Sequence, residues 1–386
     1  MEQIDDSRLR GIIHDRIKER GGRIPFADFM AACLYEPGLG YYTSPGRKVG
    51  AEGDFYTSIN VHRVFGRLIG REICRMWEVM GCPAPFTLVE AGAGHGRLAA
   101  DVLDAVRELN PELYASLTLR LVEAEPSLAE AQRQVLAEHL DRVAWNDPAE
   151  LMGGTLTFTG CLYSNELIDS FPTHVVEMTP AGLREVFVTA DGDGFAEQLD
   201  LPSTPDLADY FRRIDVNLQP GQRTEINLNA CRWLEGVARC LERGFVLTVD
   251  YGFLSPELYG PMRQNGTLLC YFRHTIQEDP YQRVGHQDIT SHVDFTTLIL
   301  RGEELGLHKA WFGEQYRFLM AAGLMEELMA LESAAATEEE RIKIRLVLKK
   351  LVLPEGGMGD TFKILVQAKG VENPRLLCMR DWSKLF

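Results

Sequence analysis

The run Leu88-Val89-Glu90-Ala91 is apolar enough for a buried strand, and it breaks directly into Gly92-Ala93-Gly94-His95-Gly96 before a helical pattern begins at Arg97. Strand, glycine turn and helix in that order restrict the chain to an α/β fold, in which a parallel sheet gathers its strand ends around a ligand. Glycine has no Cβ, so the backbone can turn sharply and a bound molecule can lie almost on it. The helix behind the turn offers unpaired N–H groups. The spacing is Gly-x-Gly-x-Gly, and Arg97 fills the sixth position, where a dinucleotide fold wants a small residue for helix–strand packing. That spacing favours S-adenosylmethionine (SAM), which brings a carboxylate and a ribose but no pyrophosphate. Taken alone, the turn is also compatible with a nicotinamide site or a purely structural bend.

Strands and helices alternate from Phe86 onward. Periodicity predicts strands over Thr87–Glu90, Leu117–Glu123, Arg142–Trp145, Leu156–Tyr163 and Phe245–Asp250, with helices over Arg97–Leu109, Ser127–His139 and about Asn227–Glu242. A hairpin is expected within His174–Thr189, turning at Pro180-Ala181-Gly182. A helix over Val293–Leu305, a strand over His308–Gln315, a helical excursion over Tyr316–Leu351 and a last strand over Phe362–Lys369 complete the pattern. A late excursion before a final antiparallel strand fits a methyltransferase sheet. Upstream, Leu9, Ile12, Ile13 and Ile17 have helical spacing, a Gly/Tyr/Pro-rich loop follows, and a strong amphipathic helix covers roughly Val61 to Met80. The expected organisation is an N-terminal helical or lid region (1–84) and a core (85–255 and 292–370). A substrate-side insertion (256–291) and a helical insertion (316–351) interrupt it.

Candidate groups fall at the predicted strand ends, where such sheets bind ligands. Glu90 closes the first strand. Glu123 closes the second, where a ribose diol needs a two-point acceptor, and Glu125 lies just beyond. Asp147 follows the third strand, suited either to meeting adenine or to capping a helix. Asn165, Glu166 and Asp169 follow the fourth, where methyl-transfer folds place groups that handle the acceptor; acids decorating a helix start are the alternative. Asp250 ends the fifth. His274, His286 and His292 share no zinc-ligand spacing, so no metal is expected, and His274 is a candidate proton-handling group.

Composition narrows the function classes. A formal charge of −16 over 386 residues repels nucleic acid and tolerates a basic peptide. The eight cysteines form no Cys-x-x-Cys pair and suit a reducing compartment. The acidic start, Met1-Glu2-Gln3-Ile4-Asp5-Asp6, shows no signal or transit pattern, and no segment approaches membrane-spanning length. A cytoplasmic location is the expectation.

Several blocks together resemble a known family. They are Tyr35-Glu36-Pro37 with Gly40-Tyr41-Tyr42, Gly53-Asp54-Phe55 with Thr57-Ser58, Glu90 to Gly96, Asn165-Glu166-Leu167-Ile168-Asp169 with Pro172, Glu225-Ile226-Asn227, Asp250-Tyr251-Gly252, Gly266-Thr267-Leu268 and His292-Val293-Asp294-Phe295. The chain resembles the MidA-type SAM-dependent methyltransferases, a family that includes the mitochondrial complex I assembly methyltransferase. The resemblance implies a class I methyltransferase fold, a Rossmann-like seven-stranded sheet with N-terminal helical and internal helix and loop insertions. It implies SAM as cofactor, and the candidate residues to bind it are Glu90, Gly92, Gly94, Gly96, Glu123, Asp147, Asn165, Thr57 and Ser58. The catalytic candidates are Glu166 and Asp169, supported by Asp250 and His274. The implied acceptor is an arginine on a protein substrate such as an NADH dehydrogenase subunit. A small-molecule methyltransferase and an assembly factor that binds SAM without turnover are the alternatives. The chain departs from the family after Ser58, with Ile59-Asn60-Val61-His62-Arg63 in place of Pro-Glu-Ile-Ser-Gln.

Overall fold

The structure, a computed structural model, describes residues 6–44, 63–273, 275–353 and 359–381. Thr57, Ser58, His274 and residues 59–62 lie outside the described residues. Its internal contacts divide the chain into two units. Met1–Phe55, Ile168–Arg232 and Gly252–Leu300 form the first, and Tyr56–Leu167, Trp233–Tyr251 and Arg301–Phe386 the second.

The second unit carries the expected sheet. Its strands are β1 (Phe86–Ala91), β2 (Leu117–Val122), β3 (Val143–Asn146), β4 (Phe158–Asn165), β5 (Leu241–Phe253), β6 (His308–Glu314) and β7 (Phe362–Lys369). They lie in the order β3-β2-β1-β4-β5-β7-β6. The strands β1 to β5 pair in parallel, whereas β7 runs antiparallel to β5 and β6. Strand order reverses at β1, which sits between β2 and β4, so the crevice for a ligand opens beyond the carboxyl ends there. The helix Arg97–Leu109 buries Leu98, Val102, Leu103 and Val106 on one face. Helix Val64–Val79 approaches it closely because two glycines one turn apart lack side chains. A Cβ on Gly66 would lie 2.5 Å from the Asp101 Cβ, and one on Gly70 would lie 2.9 Å from the Ala105 Cβ. Between β6 and β7 the chain makes three helices, Gln315–Ala322, Leu324–Ala334 and Glu338–Val352. Glu327 ties this excursion down, accepting from Arg67 Nε at 2.8 Å and Arg71 Nη2 at 2.7 Å.

The first unit has a five-stranded antiparallel sheet. The hairpin strands His174–Thr179 and Gly182–Asp191 are flanked by Ile24–Pro25, Gly194–Asp200 and Arg223–Ile226. Helices Ser7–Glu19 and Phe26–Tyr35 bury Ile13, Ile17, Phe26, Phe29 and Met30 in a core shared with Val175, Val186 and Val188. This grouping differs from the expected organisation. Residues 168–232 leave the 85–255 core because their strands pair with Ile24–Pro25 and each other, not with β4 or β5. Helix Val64–Val79 likewise leaves the 1–84 region, since its apolar face belongs to the core around β1.

Among the described residues no helix is long and apolar enough to cross a membrane, and no cluster of His, Cys, Asp or Glu could hold a metal ion.

Candidate active site

The glycine turn adopts the conformation its composition demands. Gly92, Gly94 and Gly96 have φ of 73°, 50° and 78°, all in the left-handed region that glycine enters without strain. Gly92 N–H donates to the Val122 carbonyl at 2.9 Å, fixing the turn to the end of β2, and Gly96 closes on Ala93 at 2.8 Å before the helix starts. A Cβ on Gly94 would point into open space, whereas one on Gly92 would strike Leu167 Cδ1 at 2.8 Å. The open side of Gly94 is therefore where a ligand can lie against the backbone.

Glu123 sits opposite. Its Oε2 accepts from Gly94 N–H at 2.9 Å and its Oε1 from Glu125 N–H at 3.1 Å. Each carboxylate oxygen has a second lone pair, enough for the two neighbouring hydroxyls of a ribose. Burial pushes the Glu123 carboxyl up, against the pull of the N–H groups of Glu125, Gly94 and Ala124. Glu125 spends its own Oε1 on Ser127 N–H at 2.9 Å and serves the turn. Glycine turn, helix start and carboxylate together fit SAM.

Other predicted groups take different places. Glu90 is buried on β1 and accepts from the Tyr163 hydroxyl at 3.0 Å. Asp147 caps helix Pro148–Gly153: its Oδ1 accepts from Ala149 N–H at 2.7 Å, and Glu150 returns the bond to Asp147 N–H at 2.9 Å. The structure thus gives Asp147 the capping role, with its side chain exposed, where the sequence left adenine contact open. At the adjoining ends of β4 and β5, Glu166 N–H donates to the Val249 carbonyl at 3.0 Å. Glu166 is half-exposed with φ of 51°, a left-handed setting that costs a non-glycine residue energy and that clusters at functional sites. Asn165 Nδ2 donates to its carboxylate at 2.9 Å. Asp250 is fully buried and accepts from Leu167 N–H at 3.3 Å and Tyr251 N–H at 3.0 Å. Through Leu167 it holds the turn that presents Glu166. Leu167 covers Gly92, so the Glu166 turn stands beside the glycine turn.

Asp169 belongs to the first unit, where it is buried and its carbonyl accepts from Ser291 N–H at 3.0 Å. In that unit the Tyr42 hydroxyl donates to both oxygens of buried Asp288 at 2.9 Å, and Tyr35 stacks on Tyr42 at 5.5 Å while bonding Ser170. Burial and Asp288 hold the Tyr42 hydroxyl protonated. The other resemblance blocks meet here as buried hydrogen-bond hubs. Glu225 accepts from Thr267 N–H at 2.8 Å and Oγ at 3.0 Å. Asp294 accepts from Ser255 Oγ, Tyr210 Oη and Thr297 Oγ. Sequence reasoning also missed Gln132, which donates to the Gly94 carbonyl, and Trp145, whose indole N–H donates to Gln132. A glutamine in a polar helix and a tryptophan on an edge strand give no signal of their pairing.

Two buried carboxyls give the second unit a pH dependence. Burial raises Glu90 to about 8, with the Tyr163 bond opposing and nearby Glu123 adding; burial raises Glu72 to about 7, against the N–H groups of Cys378 and Leu377. Each binds its proton more tightly folded than unfolded, where the carboxyl pKa is about 4.3. Their contribution is fully present below that value and is lost as pH rises through about 7 and about 8. The melting temperature of wild type is expected to fall between pH 6 and pH 9, and Glu90→Gln to flatten that fall. An unchanged slope in scanning calorimetry would count against the assignment.

Comparison with known proteins agrees with this geometry. Residues 68–313 match the family of S-adenosyl-L-methionine-dependent methyltransferases. The protein arginine methyltransferase NDUFAF7 homolog of Drosophila melanogaster is 30% identical, covering 91% of this chain and 82% of that protein. Protein arginine methyltransferase NDUFAF7 of Bos taurus is 32% identical over 92% of this chain and 82% of its own length. A crystal structure of a Burkholderia thailandensis protein bound to S-adenosyl-homocysteine superimposes with a TM-score of 0.87 at 29% identity, covering 98% of this chain and 96% of that one. With a seven-stranded sheet in methyltransferase order and a glycine turn answered by Glu123, the chain belongs to the MidA-type family of SAM-dependent methyltransferases.

Proposed function

We propose that the methyl acceptor is an arginine side chain of a protein, a subunit of the respiratory NADH dehydrogenase. The observation that carries this reading is the likeness, along nine-tenths of the chain, to relatives named protein arginine methyltransferase. Bound SAM supplies a methyl group already activated on a sulfonium, so the protein's task is alignment of the nucleophile. Guanidinium is always protonated in water and presents a planar fork of donors. A carboxylate must grip that fork and concentrate electron density on the attacking nitrogen. Glu166 is suited to this: half-exposed, held at a fixed angle by its left-handed backbone, and one residue from the side chain that covers Gly92. Asp250 keeps the turn in place through Leu167 N–H. The same reading puts the protein in the cytoplasm, a reducing compartment, supported by eight free cysteines.

The test is to incubate the protein and methyl-labelled SAM with a cell lysate, hydrolyse the labelled protein and quantify methylarginine. Wild type is expected to place label in methylarginine. Glu166→Gln keeps an acceptor but loses the charge-assisted bond, so its rate is expected to drop about 30-fold with SAM affinity unchanged. Label confined to small molecules or to another amino acid would overturn the reading.

A further inference from the structure

Helix Leu128–Val135 buries one residue of its own, and that residue is a glutamine, Gln132. Its side chain has no solvent exposure. Burying an amide is costly unless both of its ends are satisfied, and an aliphatic residue would fill the same space without that demand. Here both ends are used. Gln132 Nε2 donates to the Gly94 carbonyl at 2.7 Å, and its Oε1 accepts from the Trp145 indole N–H at 2.7 Å. Its stem also supports the turn, since a Cβ on Gly96 would meet Gln132 Cγ at 3.4 Å. Trp145 is fixed in turn by its place on β3 and by the Arg133 guanidinium, 4.8 Å over its ring. Both peptide groups flanking the Gly94 Cα are thereby held: the Gly94–His95 carbonyl by Gln132 and the Ala93–Gly94 N–H by Glu123 at 2.9 Å.

We propose that Gln132 and, through it, Trp145 are positioning residues for the cofactor: the Trp145–Gln132–Gly94–Glu123 chain sets the glycine turn and the ribose-binding carboxylate in register before SAM arrives. The proposal rests on the SAM site and is independent of which acceptor is methylated. Without Gln132 the Gly94–His95 peptide can rotate, and part of the binding energy goes into ordering the turn. Trp145 touches neither Gly94 nor Glu123 in this chain of bonds, so its effect passes through the glutamine.

The experiment uses the full chain in four forms: wild type, Gln132→Met, Trp145→Phe and the double variant. SAM affinity is measured by isothermal titration, and amide hydrogen exchange over residues 92–96 is measured without cofactor. Gln132→Met is expected to weaken SAM binding about tenfold, the scale of one net hydrogen bond. It should also speed exchange at the Gly94 amide while helix Arg97–Leu109 stays protected. Trp145→Phe keeps an aromatic side chain while removing the indole N–H that Gln132 accepts. It is expected to weaken binding about threefold, speed the same amide, and add nothing in the Gln132→Met background. Wild-type affinity and exchange in Trp145→Phe would overturn the proposal, even if Gln132→Met failed to fold. Equal losses from Trp145→Phe in both backgrounds would overturn the relay.

Discussion

Glu123→Ala is expected to weaken SAM binding about 100-fold. The carboxylate offers a charge-assisted hydrogen bond to each ribose hydroxyl, and bonds to charged groups contribute roughly 1.5–3 kcal/mol each. Two at the low end give about 3 kcal/mol, or two decades in Kd. The substitution also releases Gly94 N–H and Glu125 N–H, so part of the loss comes from the turn itself. A ligand lacking the 2′-hydroxyl separates the two effects. Removing that hydroxyl should cost wild type about tenfold and cost Glu123→Ala almost nothing. Equal costs in both proteins, read by isothermal titration, would mean that Glu123 does not hold the sugar.

Gly160→Val is expected to leave no folded second unit. Gly160 sits in β4 between Thr87 of β1 and Gly244 of β5, at the centre of the sheet. Its φ is 154°, and a Cβ there would lie far inside van der Waals contact distance of the Thr87 carbonyl oxygen. Gly244 stands in the same relation to the Gly160 carbonyl. A flexible side chain can move aside from an added methyl, but a backbone carbonyl in a paired strand moves only if the ladder breaks. Even Gly160→Ala should cost at least about 4 kcal/mol, a large share of the 5–15 kcal/mol that holds a typical domain together. Circular dichroism of the soluble fraction checks this. A native spectrum and a wild-type melting temperature in Gly160→Ala would show that the sheet has slack at this point.

The parts of the fold legible in the sequence are those written locally. The apolar run at 86–91, the three glycines and the helix after Arg97 each follow from a handful of neighbouring residues, and the late helical excursion stands out by composition. Strand Gly194–Asp200 was not anticipated, although Asp191-Gly192-Asp193-Gly194 is a two-residue hairpin turn with Gly192 at φ of 55°. Its exposed, polar face gave no alternating pattern to mark it. The membership of residues 168–232 was hidden for another reason: their strands pair with Ile24–Pro25, some 160 positions away, and no local signal encodes such a pairing. At the site, Glu123 could be placed because a strand end and a glycine turn predict it. Asp147 could not be assigned, since adenine contact and helix capping favour the same residue type before a proline. The bonds of Gln132 to Gly94, 38 positions away, and of Asp250 to Leu167, 83 away, exist only once the sheet is built.

Everything turns on a sulfonium nucleoside lying across the open side of Gly94 within reach of one acid. A crystal of the full chain grown with SAM tests that directly. The expected density places the ribose hydroxyls about 3 Å from the Glu123 oxygens, with the amino-acid end over residues 92–96. Cofactor bound elsewhere, or Glu123 turned toward bulk water beside an ordered ligand, would contradict the account.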